Sequence, residues 1–106
     1  MDFTIEFVLV FARGLFLGAP ILLFLMAVVA VVGQIIGRGE GWSRSDALYY
    51  AFITATTVGY GDFHPSRRSG KYLAIIIALV GLLLTAIVAA IGVKAAEIAF
   101  RHTALA

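Results

Sequence analysis

Two long uncharged stretches limit what this chain can fold into. Gly14 through Ile36 is an uncharged run of 23 residues, and Tyr72 through Val93 is another of 22. At about 1.5 Å per helical residue each reaches ~33 Å or more, enough to cross a hydrocarbon core. Inside a bilayer, backbone N–H and C=O groups must find partners within the protein, so each run is expected to be a transmembrane helix. Composition agrees, with 62% of the 106 residues hydrophobic and 13% charged and a mean hydropathy of +1.05, far from an average soluble domain. The fold class is therefore an all-α membrane protein of one domain.

Other classes lose their footing quickly. The net charge of +2 and pI near 9.3 come from eight Lys and Arg scattered along the chain without a basic stripe, which argues against nucleic acid as a partner. With no cysteine, disulfides, thiolate catalysis and cysteine-bound metal are excluded. No HExxH, phosphate-binding Gly-rich loop or nucleophile with a base is present, so neither an enzymatic function nor an organic cofactor is expected. The first apolar stretch is too long for a signal peptide and lacks the basic n-region and small-residue cleavage site. The first span is expected to act as its own insertion signal. A single copy is too small to enclose a water path, so a transport role would require an oligomer.

Upstream of the first span, Phe3 to Phe11 is apolar but carries Glu6, and Arg13 interrupts it. Pro20 suits the first turn of a helix, with Gly18-Ala19 as the break before it. Residues 1–17 thus read as an interfacial helix or as an extension of the first span into one long tilted helix, with the span itself over 18–37. Gly37-Arg38-Gly39-Glu40-Gly41 marks the exit from the membrane. Ser43-Arg44-Ser45-Asp46 has the capping pattern of a serine with an acid three residues on, predicting a helix near Ser45 that covers 45–56. Twelve residues are too few to span. The chain returns through His64-Pro65 and Arg67-Arg68 to a second span over 70–98.

Between the short helix and that return lies Thr57-Val58-Gly59-Tyr60-Gly61-Asp62. Gly59 and Gly61 admit φ values closed to other residues, so successive carbonyl oxygens can turn toward one axis. Thr57 adds a hydroxyl oxygen. Rings of such oxygens replace the hydration shell of K⁺ without a charged side chain. A plain Gly-rich turn between hydrophobic helices is the alternative. Irregular backbone at membrane depth survives only where it is buried in protein or lines a water path.

This segment resembles the selectivity filter of potassium channels. From its first span through its last the chain is similar to two-transmembrane potassium channels of prokaryotic type, most strongly from Ala47 to Gly81 and including Thr54-Ala55-Thr56-Thr57. The resemblance implies two transmembrane helices with a re-entrant pore helix and filter, assembled as a C4 homotetramer that conducts K⁺ passively. The carbonyls of Thr57, Val58, Gly59 and Tyr60, with the Thr57 hydroxyl, would hold K⁺, while the Val58 and Tyr60 side chains face away from the axis. Gly61 and Asp62 complete the filter. Tyr49 and Tyr50 take positions where similar channels place aromatics, so their hydroxyls are expected near Asp62 and Tyr60; interfacial tyrosines at headgroup level are the alternative. Ile53 departs from the better-known pattern, which has a glutamate there to pair with the aspartate after the filter. Asp62 must then find another partner or stay solvated, and filter stability and inactivation are expected to differ.

On the second span Ala78, Gly81, Thr85, Ala89 and Gly92 recur at helical spacing. Such a stripe serves close helix packing or lines a cavity and gate. Gly81 matches the family's gating-hinge glycine, with Thr85 and Ala89 further along the expected cavity. Gly14xxxGly18 and Gly33xxxGly37 are weak packing signals. Charge alone disagrees with the implied topology: Arg38, Arg44, Arg67, Arg68 and Lys71 lie between the spans, against Arg13, Lys94 and Arg101 outside them. The resemblance places the loop outside the cell membrane and both termini in the cytoplasm. No arginine-repeat helix is present, so a voltage sensor is absent. His64 could sense external pH or simply be solvated. Lys94, Arg101 and His102 are candidates for lipid headgroups, unless Glu97 takes Arg101 at i+4. Membrane lipid, permeant K⁺ and a cytoplasmic regulatory domain or subunit not present in this chain are the expected partners. Rival readings are a weakly selective Na⁺/K⁺ channel and a non-conducting transporter subunit or membrane interaction module.

Overall fold

In the computed structural model, which describes residues 2–104, the chain is helical in four pieces: α1 (Phe3–Leu17), α2 (Ala19–Glu40), α3 (Arg44–Ala55) and α4 (Arg68–Ala104). Helices α2 and α4 are each long and apolar enough to cross a membrane. Gly18 alone separates α1 from α2. The reason is local: Pro20 has no N–H to give to the Phe16 carbonyl, which interrupts the ladder one turn earlier.

The helix boundaries differ from those read off the sequence. Helix α2 runs three residues past the expected end at 37, through Arg38-Gly39-Glu40. It stops because Gly41 takes φ 77 and the Trp42 N–H bonds back to the Gly37 carbonyl at 2.9 Å, a left-handed C-terminal closure. The N-cap of α3 is Ser43, whose hydroxyl accepts from Asp46 N at 3.1 Å, so the helix covers 44–55 instead of 45–56. Helix α4 begins at Arg68 and continues to Ala104 rather than ending at 98.

The chain forms two compact units: Met1–Leu22 with Ala86–Ala106, and Leu23–Thr85. In the first, α1 lies against the C-terminal part of α4. Phe3, Phe7 and Phe11 stack at i,i+4 spacing, with centroids 6.3 and 5.6 Å apart, and Phe3 meets Phe100 edge-on. Gly14 faces Ile91 so closely that a methyl there would lie 2.5 Å from Ile91 Cγ2. Glu6 bonds His102 at 2.9 Å, and Glu97 bonds Arg101 at 2.8 Å.

In the second unit, α3 is seated against α2 and α4. Val29, Ile36, Tyr50, Ala51, Ala55 and Ile77 form its buried cluster. The seating depends on small residues. A methyl on Gly33 would lie 2.5 Å from Ala51 Cβ, and one on Gly37 would lie 2.6 Å from Ala47 Cβ. On the other side, a methyl on Gly81 would run into the Ala55 carbonyl oxygen and stand 2.5 Å from its Cα. Ala47, Ala51 and Ala55 repeat every fourth residue and so form one face of α3. Gly33xxxGly37, a weak signal in the sequence, is the matching half of that contact.

Gly81→Ala should destabilise the detergent-solubilised protein by about 1–3 kcal/mol, because the Ala55 backbone has no rotamer with which to yield. Gly92→Ala is the contrast, since its methyl would meet only the Phe11 ring, at 3.7 Å. That variant should change stability by less than about 0.5 kcal/mol in the same denaturation measurement.

Candidate functional site

The segment after α3 is built outward from the end of the helix. Thr56 N bonds the Phe52 carbonyl at 2.9 Å, and Thr57 N bonds the Thr54 carbonyl at 3.2 Å. The Ile53 carbonyl then accepts from two amides, Val58 N at 3.0 Å and Gly59 N at 3.2 Å. Ile53 therefore reaches this segment through its main chain, whatever its side chain. Positive φ falls on alternate residues, 66° at Thr57, 58° at Gly59 and 83° at Gly61. For the glycines this costs little, but Thr57 is β-branched and pays about 1–2 kcal/mol for the left-handed region. Strain of this size on a single residue persists only where the surrounding structure over-determines it.

The amides of residues 57–59 are turned back toward α3, and the carbonyls of Thr57, Val58, Gly59 and Tyr60 accept no hydrogen bond among the described residues. Where backbone handedness alternates, successive N–H groups gather on one side. The two threonine hydroxyls donate locally, Thr56 to the Phe52 carbonyl and Thr57 to the Thr56 carbonyl, each at 2.6 Å. With its proton committed, the Thr57 oxygen keeps lone pairs for another partner. Val58 and Tyr60 are 49% and 71% exposed in the single chain.

The two tyrosines divide. The Tyr49 hydroxyl lies beside the Asp62 carboxylate. Tyr50, expected near the same group, instead turns into the core: it is 5% exposed, its ring is 5.0 Å from that of Trp42, and its hydroxyl is next to Thr54. Asp62 also accepts from its neighbour, Phe63 N, at 3.2 Å. Gly81 is buried, whereas Thr85 and Ala89 are exposed; Ala89 belongs to the other compact unit. At Gly81, contact with Ala55 is enough to require a glycine.

Three supporting residues escaped the sequence reading. Phe63 packs edge-on against both Trp42, at 5.4 Å, and Tyr49, at 6.2 Å, and so anchors the return from Asp62. Trp42, the only tryptophan of the chain, in a stretch otherwise rich in Gly and Ser, was the available signal. Glu40, the last residue of α2, accepts from Ser66 N at 3.1 Å, Ser66 Oγ at 2.7 Å and Arg67 N at 3.1 Å. Its carboxylate thereby caps the start of α4, where the helix dipole favours a negative charge. Nothing in the local sequence pairs Glu40 with residues 26 and 27 positions away. Glu40→Ala should speed amide hydrogen exchange at Ser66 and Arg67 while leaving α1 unchanged, and should lower the melting temperature more than Glu97→Ala, which breaks only an exposed i,i+4 pair.

A family model described as ion channel matches residues 15–97, most of the chain. Among curated proteins, the TWiK family of potassium channels protein 7 of Caenorhabditis elegans is 35% identical over 65 residues, covering 61% of this chain and 12% of that protein. The two pore potassium channel a of rice, Oryza sativa subsp. japonica, is 36% identical over 74 residues, 70% of this chain and 21% of that protein. Potassium channel protein 1 of Methanocaldococcus jannaschii is 35% identical over 66 residues, 62% of this chain and 19% of its own length. The chain thus spans 12% to 21% of the length of these relatives. No solved structure matches it. Two helices able to cross a membrane, and a family match that takes in both the short helix and the strained segment between them, lead to one conclusion: the chain belongs to the ion channel family.

Proposed function

We propose that this chain is one subunit of a potassium-selective channel, a C4 homotetramer that passes K⁺ down its electrochemical gradient. Thr57-Val58-Gly59-Tyr60 is its filter, with Gly61 and Asp62 at the outer end and α3 as the pore helix. The observation that carries the reading is the alternating positive φ at Thr57, Gly59 and Gly61, combined with carbonyls at 57–60 that have no donor among the described residues. Unpartnered carbonyl oxygens suit a weakly hydrated monovalent cation. The potassium channel names of the relatives support the choice of ion.

Four copies are needed because one segment supplies only one side of each oxygen ring. The exposed Val58 and Tyr60 side chains would then pack against neighbouring subunits and hold the ring open. Tyr49, through Asp62, and the Ile53 carbonyl, through the Val58 and Gly59 amides, support the filter from behind. Gating belongs to α4, with Gly81 as its flexible point and Thr85 and Ala89 as candidate cavity residues. The loop enters from outside the plasma membrane, and both termini are cytoplasmic.

Purified chain in liposomes tests this directly. K⁺ and Rb⁺ flux should exceed Na⁺ flux by at least about tenfold, equivalent to ~1.4 kcal/mol at the barrier, and Ba²⁺ should block it. Thr57→Gly accepts the backbone conformation but lacks the hydroxyl, so it should conserve the fold and lower the K⁺/Na⁺ flux ratio; Thr57→Ser should largely restore the ratio. Equal permeation of Na⁺ and K⁺ would support a weakly selective cation channel instead. An inert monomer or dimer would support a membrane interaction module.

A further inference from the structure

Of the two histidines in the chain, His102 is taken by Glu6 at 2.9 Å. His64 is exposed and has no hydrogen-bond or ion-pair partner among the described residues. The backbone around it is held on both sides. The Phe63 ring lies 5.4 Å from that of Trp42 and 6.2 Å from that of Tyr49. Pro65, with its fixed φ, is so near Gly70 that a methyl on that glycine would stand 3.0 Å from Pro65 Cβ. Ser66 and Arg67 then give their amides to Glu40, each at 3.1 Å. An imidazole carried on so restrained a backbone loses little further freedom on binding a ligand.

Its placement follows from its neighbours. Tyr49 stands behind the proposed filter, through Asp62, and Phe63 packs on that same side, whereas His64 is left outside the packed body just beyond Asp62. In a fourfold assembly His64 therefore recurs around the mouth of the ion path. The charged groups beside it are already committed. The Asp62 carboxylate has the Tyr49 hydroxyl and the Phe63 amide. The Arg67 guanidinium is turned back over the end of α2, where a methyl on Gly39 would lie 3.1 Å from Arg67 Nη1. No group of three metal-ligating side chains occurs within one chain among the described residues, so a chelate at this level must draw on several copies.

We propose that the His64 imidazoles of the four subunits form an external site for a divalent transition-metal ion, Cu²⁺ above all, which closes the mouth to K⁺. The site rests on the channel reading and adds a regulatory ligand to it. Imidazole nitrogen suits Cu²⁺, Ni²⁺ and Zn²⁺. Symmetry discriminates among them: donors related by a fourfold axis lie in one plane, so a metal on that axis meets a square of nitrogens. Cu²⁺ and Ni²⁺ accept square or tetragonal nitrogen sets, whereas Zn²⁺ takes a tetrahedral one. Cu²⁺ also leads the affinity order of the divalent first-row ions. A dication held there stands in the path of K⁺ and repels it.

Purified chain, in liposomes for Rb⁺ flux and in detergent for copper binding, tests the site. Each variant is compared with its own flux under a chelator, which also shows that it has folded. External Cu²⁺ should suppress flux and bind at one ion per four chains, with an electron paramagnetic resonance signal split by four equivalent nitrogens. His64→Ala should lose that signal and raise the half-blocking concentration at least about thirtyfold, and Zn²⁺ should need at least about tenfold more than Cu²⁺. His102→Gln should change neither the signal nor the block. A tetramer that conducts Rb⁺ but ignores Cu²⁺, or one whose copper signal survives His64→Ala, would overturn the site and leave the channel standing. An inert monomer would overturn both, because the site needs four copies.

Discussion

The contact on which the second unit depends is the seating of α3 against glycines from two membrane-crossing helices. Gly33 and Gly37 admit the Ala51 and Ala47 side chains, and Gly81 admits the Ala55 backbone itself. Close approach of this kind suits a membrane setting, where lipid is as apolar as leucine and helices associate mainly through van der Waals contact. The end of α3 is thereby fixed from both sides. Everything downstream hangs from that end, because the Phe52, Ile53 and Thr54 carbonyls hold the next four amides.

Residues 57–62 have few contacts of their own and are shaped by what lies at either end of them. Amides of the segment are tied to α3, and its return is gripped by the Trp42, Tyr49 and Phe63 rings and by the Glu40 carboxylate on Ser66 and Arg67. A β-branched residue at φ 66 persists only when its surroundings over-determine it. The carbonyls of residues 57–60 are left without donors among the described residues, which is what the proposed ion path requires. The departure at Ile53 takes on a different meaning here. Asp62 lacks an acidic partner from that position but has the Tyr49 hydroxyl and the Phe63 amide, while the contribution of Ile53 is a backbone carbonyl that any residue could supply.

Much was legible before any coordinates. The two uncharged runs, the Ser43 to Asp46 cap and the Gly59 and Gly61 spacing are local patterns, and each acts through its own backbone. Boundaries were less so. Helix α2 passes Gly37, where a side chain would collide with Ala47, and Gly39 as well, and ends only where Gly41 takes a positive φ. Tyr49 and Tyr50 are adjacent in sequence and similar in chemistry, yet one faces Asp62 and the other joins the core; a rotation of about 100° per helical residue separates them. Glu97 was legible in the sequence as an i,i+4 partner for Arg101, whereas nothing local placed Glu6 beside His102.

The sequence by itself determined the membrane character of the chain, the order of its helices and the segment whose backbone departs from regular structure, because hydropathy, capping and glycine placement operate over a few residues. Tertiary structure alone decided which small residues are contact points, that Glu40 closes onto Ser66 and Arg67, and that Glu6 meets His102. Those pairings join residues far apart in the chain. Short-range pattern carries no record of which helix faces will meet.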